Sequence, residues 1–269
     1  MGRVITITSG KGGVGKTTTT ANLGMALAMT GKNVCLIDAD IGLRNLDIVL
    51  GLENRIVYDL VDVVEGNCRL KQALIRDKHY QNLCLIPAAQ TRDKEAVAPE
   101  QMADVCRKVA QQFDFVIVDS PAGIEQGFRN AIAGADEVLV VTTPEVSAVR
   151  DADRIIGLVE AAELPPPRLI LNRLNPALAQ RGEMMTMEDV TDILAIDLIG
   201  IVPEDSTIVM ASNRGEPAVL SPTSRAGRAY REIAQRLQGE DVPLEVPPLR
   251  EGFFERLLNA FRPRQSVAS

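Results

Sequence analysis

Short apolar runs alternate with longer stretches of helical period along most of the chain. The strand-like runs are Val4–Thr8, Asn33–Ile37, Leu83–Ile86, Phe115–Val118, Glu137–Thr142, Arg168–Leu171 and Leu198–Val202. Most are continuously apolar rather than alternating, the pattern of strands covered on both faces. Between them, Thr17–Met29, Pro99–Gln112, Val146–Glu163, Thr186–Leu194 and Ser221–Leu237 carry helical periodicity. Strands alternating with helices predict an α/β fold: a mostly parallel central sheet flanked by helices. Its crossovers are right-handed and its ligand site lies at the carboxyl ends of the strands.

The pattern changes late. Residues 239–248 (GEDVPLEVPP) are acidic and proline-rich and read as an extended linker, which closes one domain at 1–238 and leaves a tail at 249–269. In the tail, Leu249, Phe253, Phe254, Leu257, Leu258 and Phe261 fall on one face of a helix, with Arg250, Arg256, Arg262 and Arg264 around them. An amphipathic helix of that kind suits the surface of an anionic membrane.

Composition narrows the classes. With 46% hydrophobic and 24% charged residues, the chain is neither disordered, collagenous nor a coiled coil. A net charge of −7 argues against a protein whose main task is gripping nucleic acid. No run approaches the roughly 18–20 apolar residues of a transmembrane segment. A cleaved secretory signal is not expected, since it would remove the phosphate-binding loop described next. Cys35, Cys68, Cys84 and Cys106 are far apart, without a C-x-x-C pair and beside a single histidine. Reduced, core-filling thiols are expected rather than a disulfide framework or a metal centre.

Gly10, Lys11, Gly12, Gly13, Val14, Gly15, Lys16, Thr17 and Thr18 form G-x-x-x-x-G-K-T directly after one strand and at the start of a helix. Glycines let backbone N–H groups turn inward around phosphates at a helix N-terminus. Lys16 then neutralises the terminal phosphates, and the Thr17 hydroxyl ligates Mg²⁺. Lys11 is a second lysine that phosphate binding within one subunit does not require. A carboxylate near the metal is supplied by Asp119, at the end of Phe115-Val116-Ile117-Val118. Asp38 and Asp40 end another strand at i, i+2 and point the same way, placed to orient an attacking or Mg²⁺-bound water. Thr17, Asp38 and Asp119 are the candidate metal set. Asn172 and the Pro203-Glu204-Asp205 turn sit where a base would lie, with Asn172, Pro203 and Asp205 as its candidate contacts.

The string S-G-K-G-G-V-G-K-T-T resembles the deviant Walker A motif of the ParA/MinD class of P-loop ATPases. The strings D-A-D-I-G-L-R-N-L-D, P-A-A-Q-T-R-D-K, V-D-S-P-A-G-I-E, T-P-E-V-S-A-V-R-D-A-D-R and S-N-R-G-E-P are similar to the branch of that class that determines bacterial division septa. The resemblance covers essentially the whole chain. It implies a Mg²⁺-dependent ATPase in which ATP is sandwiched in a homodimer, with Lys11 acting across the seam, Lys16 acting within the subunit and Asp40 activating water. It further implies the division inhibitor MinC and the regulator MinE as partners docking near the seam, with Glu125, Ser147, Asp151 and Asp153 as contacts. A bacterial cytoplasmic protein, peripheral on the inner face of the plasma membrane when ATP-bound, is the implied location. The tail departs from the class in using arginine where lysine is usual and in its polar extension to Ser269. A ParA-like DNA-partitioning ATPase is the alternative; it would need a basic dimer surface and no apolar tail. An iron–sulfur carrier would need cysteines at the seam, and a metabolic kinase a substrate lid.

Overall fold

The computed structural model describes residues 1–93 and 96–246. The tail, with Phe253, Phe254, Leu257, Leu258 and Phe261, lies outside the described residues, as does the end of the linker.

The strands are β1 (Arg3–Thr8), β2 (Val34–Asp38), β3 (Ile75–Arg76), β4 (Leu83–Ile86), β5 (Phe115–Asp119), β6 (Glu137–Thr142), β7 (Arg168–Leu174) and β8 (Leu198–Pro203). They form one sheet in the order β3-β4-β2-β5-β1-β6-β7-β8. Every pairing is parallel except that of β3 with β4, an antiparallel edge. The helices are α1 (Lys16–Met29), α2 (Leu46–Leu50), α3 (Leu60–Glu65), α4 (Leu70–Ala73), α5 (Pro99–Ala110), α6 (Gln126–Ile132), α7 (Val146–Ala161), α8 (Pro176–Gln180), α9 (Met187–Leu194), α10 (Thr207–Ser212) and α11 (Arg225–Leu237).

Strand side chains divide by parity between the two faces, as the pleat requires. Ile5, Ile7, Leu36, Ile117, Leu139 and Val141 join a core with α1 and α11. Val4, Cys35, Ile37, Val116 and Val118 pack under α3 and α5, and Val138, Val140, Leu169 and Leu171 under α7 and α9. This double cover is why the strands read as unbroken apolar runs. Cys35, Cys84 and Cys106 are buried free thiols in one of these cores.

Helix α1 is unusual, being buried from Thr19 through Ala28 rather than along one stripe. The predicted helix at Ser221 begins instead at Arg225, because the Ser224 hydroxyl caps it by accepting from the Gly227 N–H at 2.9 Å. The four- to six-residue helices α2, α3, α4, α8 and α10 and the two-residue β3 were not foreseen in the sequence pattern. Each is too short to repeat a period.

Candidate functional site

Strand β1 lies between β5 and β6 at the middle of the sheet, so the chain departs toward both sides around it. Such a switch point opens a crevice at the carboxyl ends of parallel strands. The loop after β1 occupies it. Gly13 and Gly15 hold φ of 79° and 105°, the left-handed region that glycine enters without a Cβ penalty. A Cβ on Gly15 would also collide with Asn172 Nδ2, and one on Gly10 with the Asp151 carbonyl. The loop is therefore seated between the end of β7 and α7. Gly15 is the N-cap of α1 and provides no side chain, and no acidic residue stands in the first turn. The helix end is left as an anion-binding terminus.

Lys16 is 8% exposed. Burial lowers its pKa, while the charges of Asp119 and Asp40 oppose that shift. Asp119 ends β5 beside Asp38, its register partner at the end of β2. Thr20 Oγ1 donates to Asp119 Oδ1 at 3.1 Å, and Thr17 also hydrogen-bonds to this carboxyl. Asp38 accepts from the backbone N–H of Asp40 at 3.0 Å and of Leu46 at 3.2 Å. Both carboxyls are raised above the usual range: burial is the leading cause in each, and for Asp38 the neighbouring Asp119 charge adds to it. Asp40 lies close enough to act electrostatically on Lys16, Asp38 and Asp119.

Two buried carboxyls beside one buried ammonium leave room in the charge balance for a divalent cation. Among the described residues no three His, Cys, Asp or Glu side chains converge on a metal-sized site. That fits Mg²⁺, which usually keeps several waters and is completed by phosphate rather than caged by protein. Thr17, Asp38 and Asp119, read from the sequence as the metal set, are thus brought to one corner of the loop.

Lys11 points elsewhere. Its Nζ donates to Ser147 Oγ at 3.1 Å and lies 3.5 Å from Glu145 Oε2, with the side chain 42% exposed. Ser147 and Asp151 stand one turn apart on the α7 face toward the loop. Asp153 projects from another side of the helix, since two residues rotate it by about 200°. Glu125 is exposed at the N-cap of α6. The four candidate partner residues do not form one cluster.

Beyond Gly15 and Thr18 the loop opens into a cleft of about 830 Å³, walled by Asn172–Leu178 and by Pro203–Ser206. Asn172, Pro203 and Asp205 all line it. Asn172 Nδ2 donates to the Val14 carbonyl at 2.7 Å, and its Oδ1 accepts from the Arg173 N–H at 2.9 Å. The Asp205 carboxylate accepts from the Thr207 and Ala226 N–H groups and the Ser224 hydroxyl. Burial would raise its pKa, but these donors, with the Thr207 hydroxyl, hold it at about 2. Both side chains therefore shape the cleft by fastening its backbone.

Several contributors were missed in the sequence. Thr19 Oγ1 and the fully buried Tyr230 hydroxyl are 3.2 Å apart, and Asn22 Oδ1 accepts from the Val219 N–H at 2.8 Å. With Thr20, these fix the first turns of α1 to β5, to α11 and to the segment before α11. The four threonines at 17–20 were the available signal, because β-branched polar residues are poor helix formers. Glu145, the second partner of Lys11, had none.

Residues 5–218 match the CobQ/CobB/MinD/ParA nucleotide binding domain family. The chain is 60% identical over 248 residues to the septum site-determining protein MinD of Bacillus subtilis, covering 91% of this chain and 92% of that protein. Among solved structures it is similar to the MinC:MinD cell division protein complex of Aquifex aeolicus, with a TM-score of 0.85 and 49% identity over 91% of this chain and 99% of that one. It is also similar to the septum site-determining protein MinD of Pyrococcus horikoshii complexed with Mg-ADP, at a TM-score of 0.80 and 31% identity over 88% and 96% of the two chains.

Proposed function

The chain belongs to the CobQ/CobB/MinD/ParA nucleotide-binding family, and within it to the septum site-determining MinD ATPases, and from that membership we propose that ATP converts it from a monomer to a sandwiched homodimer that engages a MinC-type inhibitor and a MinE-type regulator on an anionic membrane.

The observation that carries this reading is the direction of Lys11. Lys16 is buried in its own phosphate loop, whereas Lys11 turns toward Ser147 and Glu145 at the exposed start of α7. A lysine placed at the rim of the site can cross to a second subunit's phosphate, and it leaves Glu145 and Ser147 as it does so. Surface chemistry supports the same seam. Leu43, Ile48, Ile124, Val146, Val209 and Met210 are exposed apolar residues, and all follow strands at the carboxyl edge. Burying them between two copies removes apolar area from water.

Within the dimer the loop N–H groups and Lys16 hold the phosphates, and the cleft beside Asn172 and Pro203 takes the nucleoside. Thr17, Asp38 and Asp119 would hold Mg²⁺ directly or through water, and the bound ion would supply charge stabilisation to the terminal phosphate. Asp40, at the rim of this carboxylate group, orients the attacking water. The solved relative complexed with MinC supports an inhibitor partner; the MinE-type regulator rests on the resemblance of the sequence strings alone. Among the described residues no helix is long and apolar enough to cross a membrane. The domain at 1–238, the linker at 239–248 and the tail at 249–269 fit a peripheral attachment: one short amphipathic helix binds weakly, and two brought together by the dimer gain roughly 10²–10⁴-fold in avidity.

Light scattering and liposome co-sedimentation of the full chain with ADP, ATP and a non-hydrolysable analogue test this. Dimers and liposome binding are expected with Mg²⁺ and ATP or the analogue. Lys11→Ala is expected to bind ATP and remain monomeric. A wild-type monomer at saturating Mg-ATP would overturn the trans role of Lys11. ATP-dependent binding to DNA in place of liposomes would favour the partitioning alternative.

A further inference from the structure

We propose that Arg173 is a base-stacking residue: its guanidinium lies on the face of the purine in the cleft between β7 and β8. This rests on reading that cleft as the nucleoside pocket.

Three observations lead there. First, Arg173 adopts φ of 57°, a left-handed conformation uncommon for a residue with a Cβ. The pairing of β7 with β8 slips between Asn172 and Leu174, and the Asn172 carboxamide accepts the Arg173 N–H, so the surrounding structure imposes the conformation. Irregularities of this kind re-aim a side chain that a regular strand would direct elsewhere. Secondly, the side chain lines the cleft and lies close enough to the buried Tyr230 hydroxyl to act on it electrostatically. Tyr230 lines the same cleft next to Thr18. Thirdly, the arginines of the cleft differ in what they hold. Arg181 forms a two-point contact with Glu183, at 2.9 and 3.2 Å, and Arg225 donates to the Glu204 carbonyl at 3.1 Å. Arg173 has no carboxylate partner among the described residues.

A planar cation held at the rim of a cleft, with no anion to satisfy it, has two uses there: a phosphate or an aromatic face. The phosphate positions already have Lys16, the loop N–H groups and the α1 terminus on the other side of Gly15. Arg173 lines the cleft together with Pro203 and the Asp205 turn. A guanidinium stacks on the π face of any purine, and arginine does so better than lysine because it is flat and weakly hydrated. Arg173 therefore adds affinity for the base without reading its edge.

The test is isothermal titration of the full chain with Mg-ADP, Mg-GDP and Mg-tripolyphosphate, for wild type, Arg173→Gly and Arg173→Lys. Glycine suits the left-handed backbone, so that variant removes the side chain without straining the fold. Arg173→Gly is expected to weaken ADP and GDP by the same factor, about 3- to 30-fold, and to leave tripolyphosphate unchanged, with Arg173→Lys recovering only part of the loss. Unchanged ADP affinity in Arg173→Gly would overturn the proposal, as would equal losses for ADP and tripolyphosphate, which would place the guanidinium on the phosphates. A wild-type protein that binds tripolyphosphate as tightly as ADP would instead overturn the nucleoside reading of the cleft itself.

Discussion

Replacing Asp38 by asparagine is expected to make the nucleotide-free, metal-free protein relatively more stable as the pH rises. Asp38 and Asp119 end adjacent parallel strands in register, and both are 1% exposed. Neighbouring strands lie about 4.8 Å apart, so two ionised carboxylates there sit at about 5 Å. At an effective dielectric constant of about 20 their repulsion is about 3 kcal/mol, and Lys16 offsets part of it, leaving about 1–3 kcal/mol. Burial raises both carboxyls above their unfolded values, and the neighbouring Asp119 charge adds to the shift of Asp38. Between pH 5 and pH 8 the folded state therefore holds protons that the unfolded chain has already released. Stability contributed by a group with a raised pKa is lost as the pH climbs through its folded value. Asp205, held at about 2, acts in the opposite sense but only below the ordinary carboxylate range, outside this window. The two oxygens of Asp38 accept separately from Asp40 and Leu46. A carboxamide has one oxygen and cannot replace both, which costs the variant about 1 kcal/mol at every pH. The informative quantity is thus the change in the difference between variant and wild type. Urea denaturation in EDTA at pH 5 and pH 8 is expected to show that difference move by about 1–3 kcal/mol in favour of the variant. A difference that stays flat across the window would refute the account of the paired carboxyls as a cation-binding site under charge strain.

The other expectations follow from single contacts. Asp40→Ala is expected to bind ATP near wild-type affinity and hydrolyse it slowly, because orienting water acts on the transition state more than on ground-state binding; wild-type turnover in single-turnover assays would shift the role to Asp38. Tyr230→Phe leaves Thr19 without its partner across α11 and is expected to cost about 1–2 kcal/mol, a fall of roughly 2–8 °C in Tm measured by calorimetry. Gly15→Ala places a Cβ against Asn172 at a left-handed φ, and is expected to lose Mg-ADP binding by titration while destabilising the fold by about 1–3 kcal/mol.

What the sequence made legible was local. The phosphate loop is ten consecutive residues whose glycines, lysine and threonine each have a mechanism, and the structure assembles them where the strand–loop–helix reading placed them. Asp38 and Asp119 were legible for a related reason: each ends an apolar run, and a parallel sheet brings such ends to one edge. The edge strand β3 and the short helices were not legible, because two to six residues cannot display a period. The left-handed backbone of Arg173 was not legible because it goes with a slip in strand pairing, and pairing register is a property of two segments at once.

Helix α1 illustrates why the remainder of the site needed coordinates. By propensity it begins badly, with threonines at 17–20 where alanine or leucine would be more stable. Tertiary contacts decide otherwise. Thr19 meets Tyr230 across 211 residues of sequence, Thr20 meets Asp119 across 99, and Asn22 meets Val219 across 197. Each buried polar group has a different element as its partner, and an unpaired hydroxyl or amide in this interior would cost about 1–3 kcal/mol. The same three bonds hold the first turns of α1 to β5, which ends at Asp119, to α11, whose Tyr230 lines the cleft, and to the segment before α11. A residue pattern that is locally unfavourable for a helix thereby joins the glycine loop both to the Asp38–Asp119 pair and to the cleft, and on the proposed function disrupting any of the three partners is expected to weaken Mg-ADP binding measured by titration.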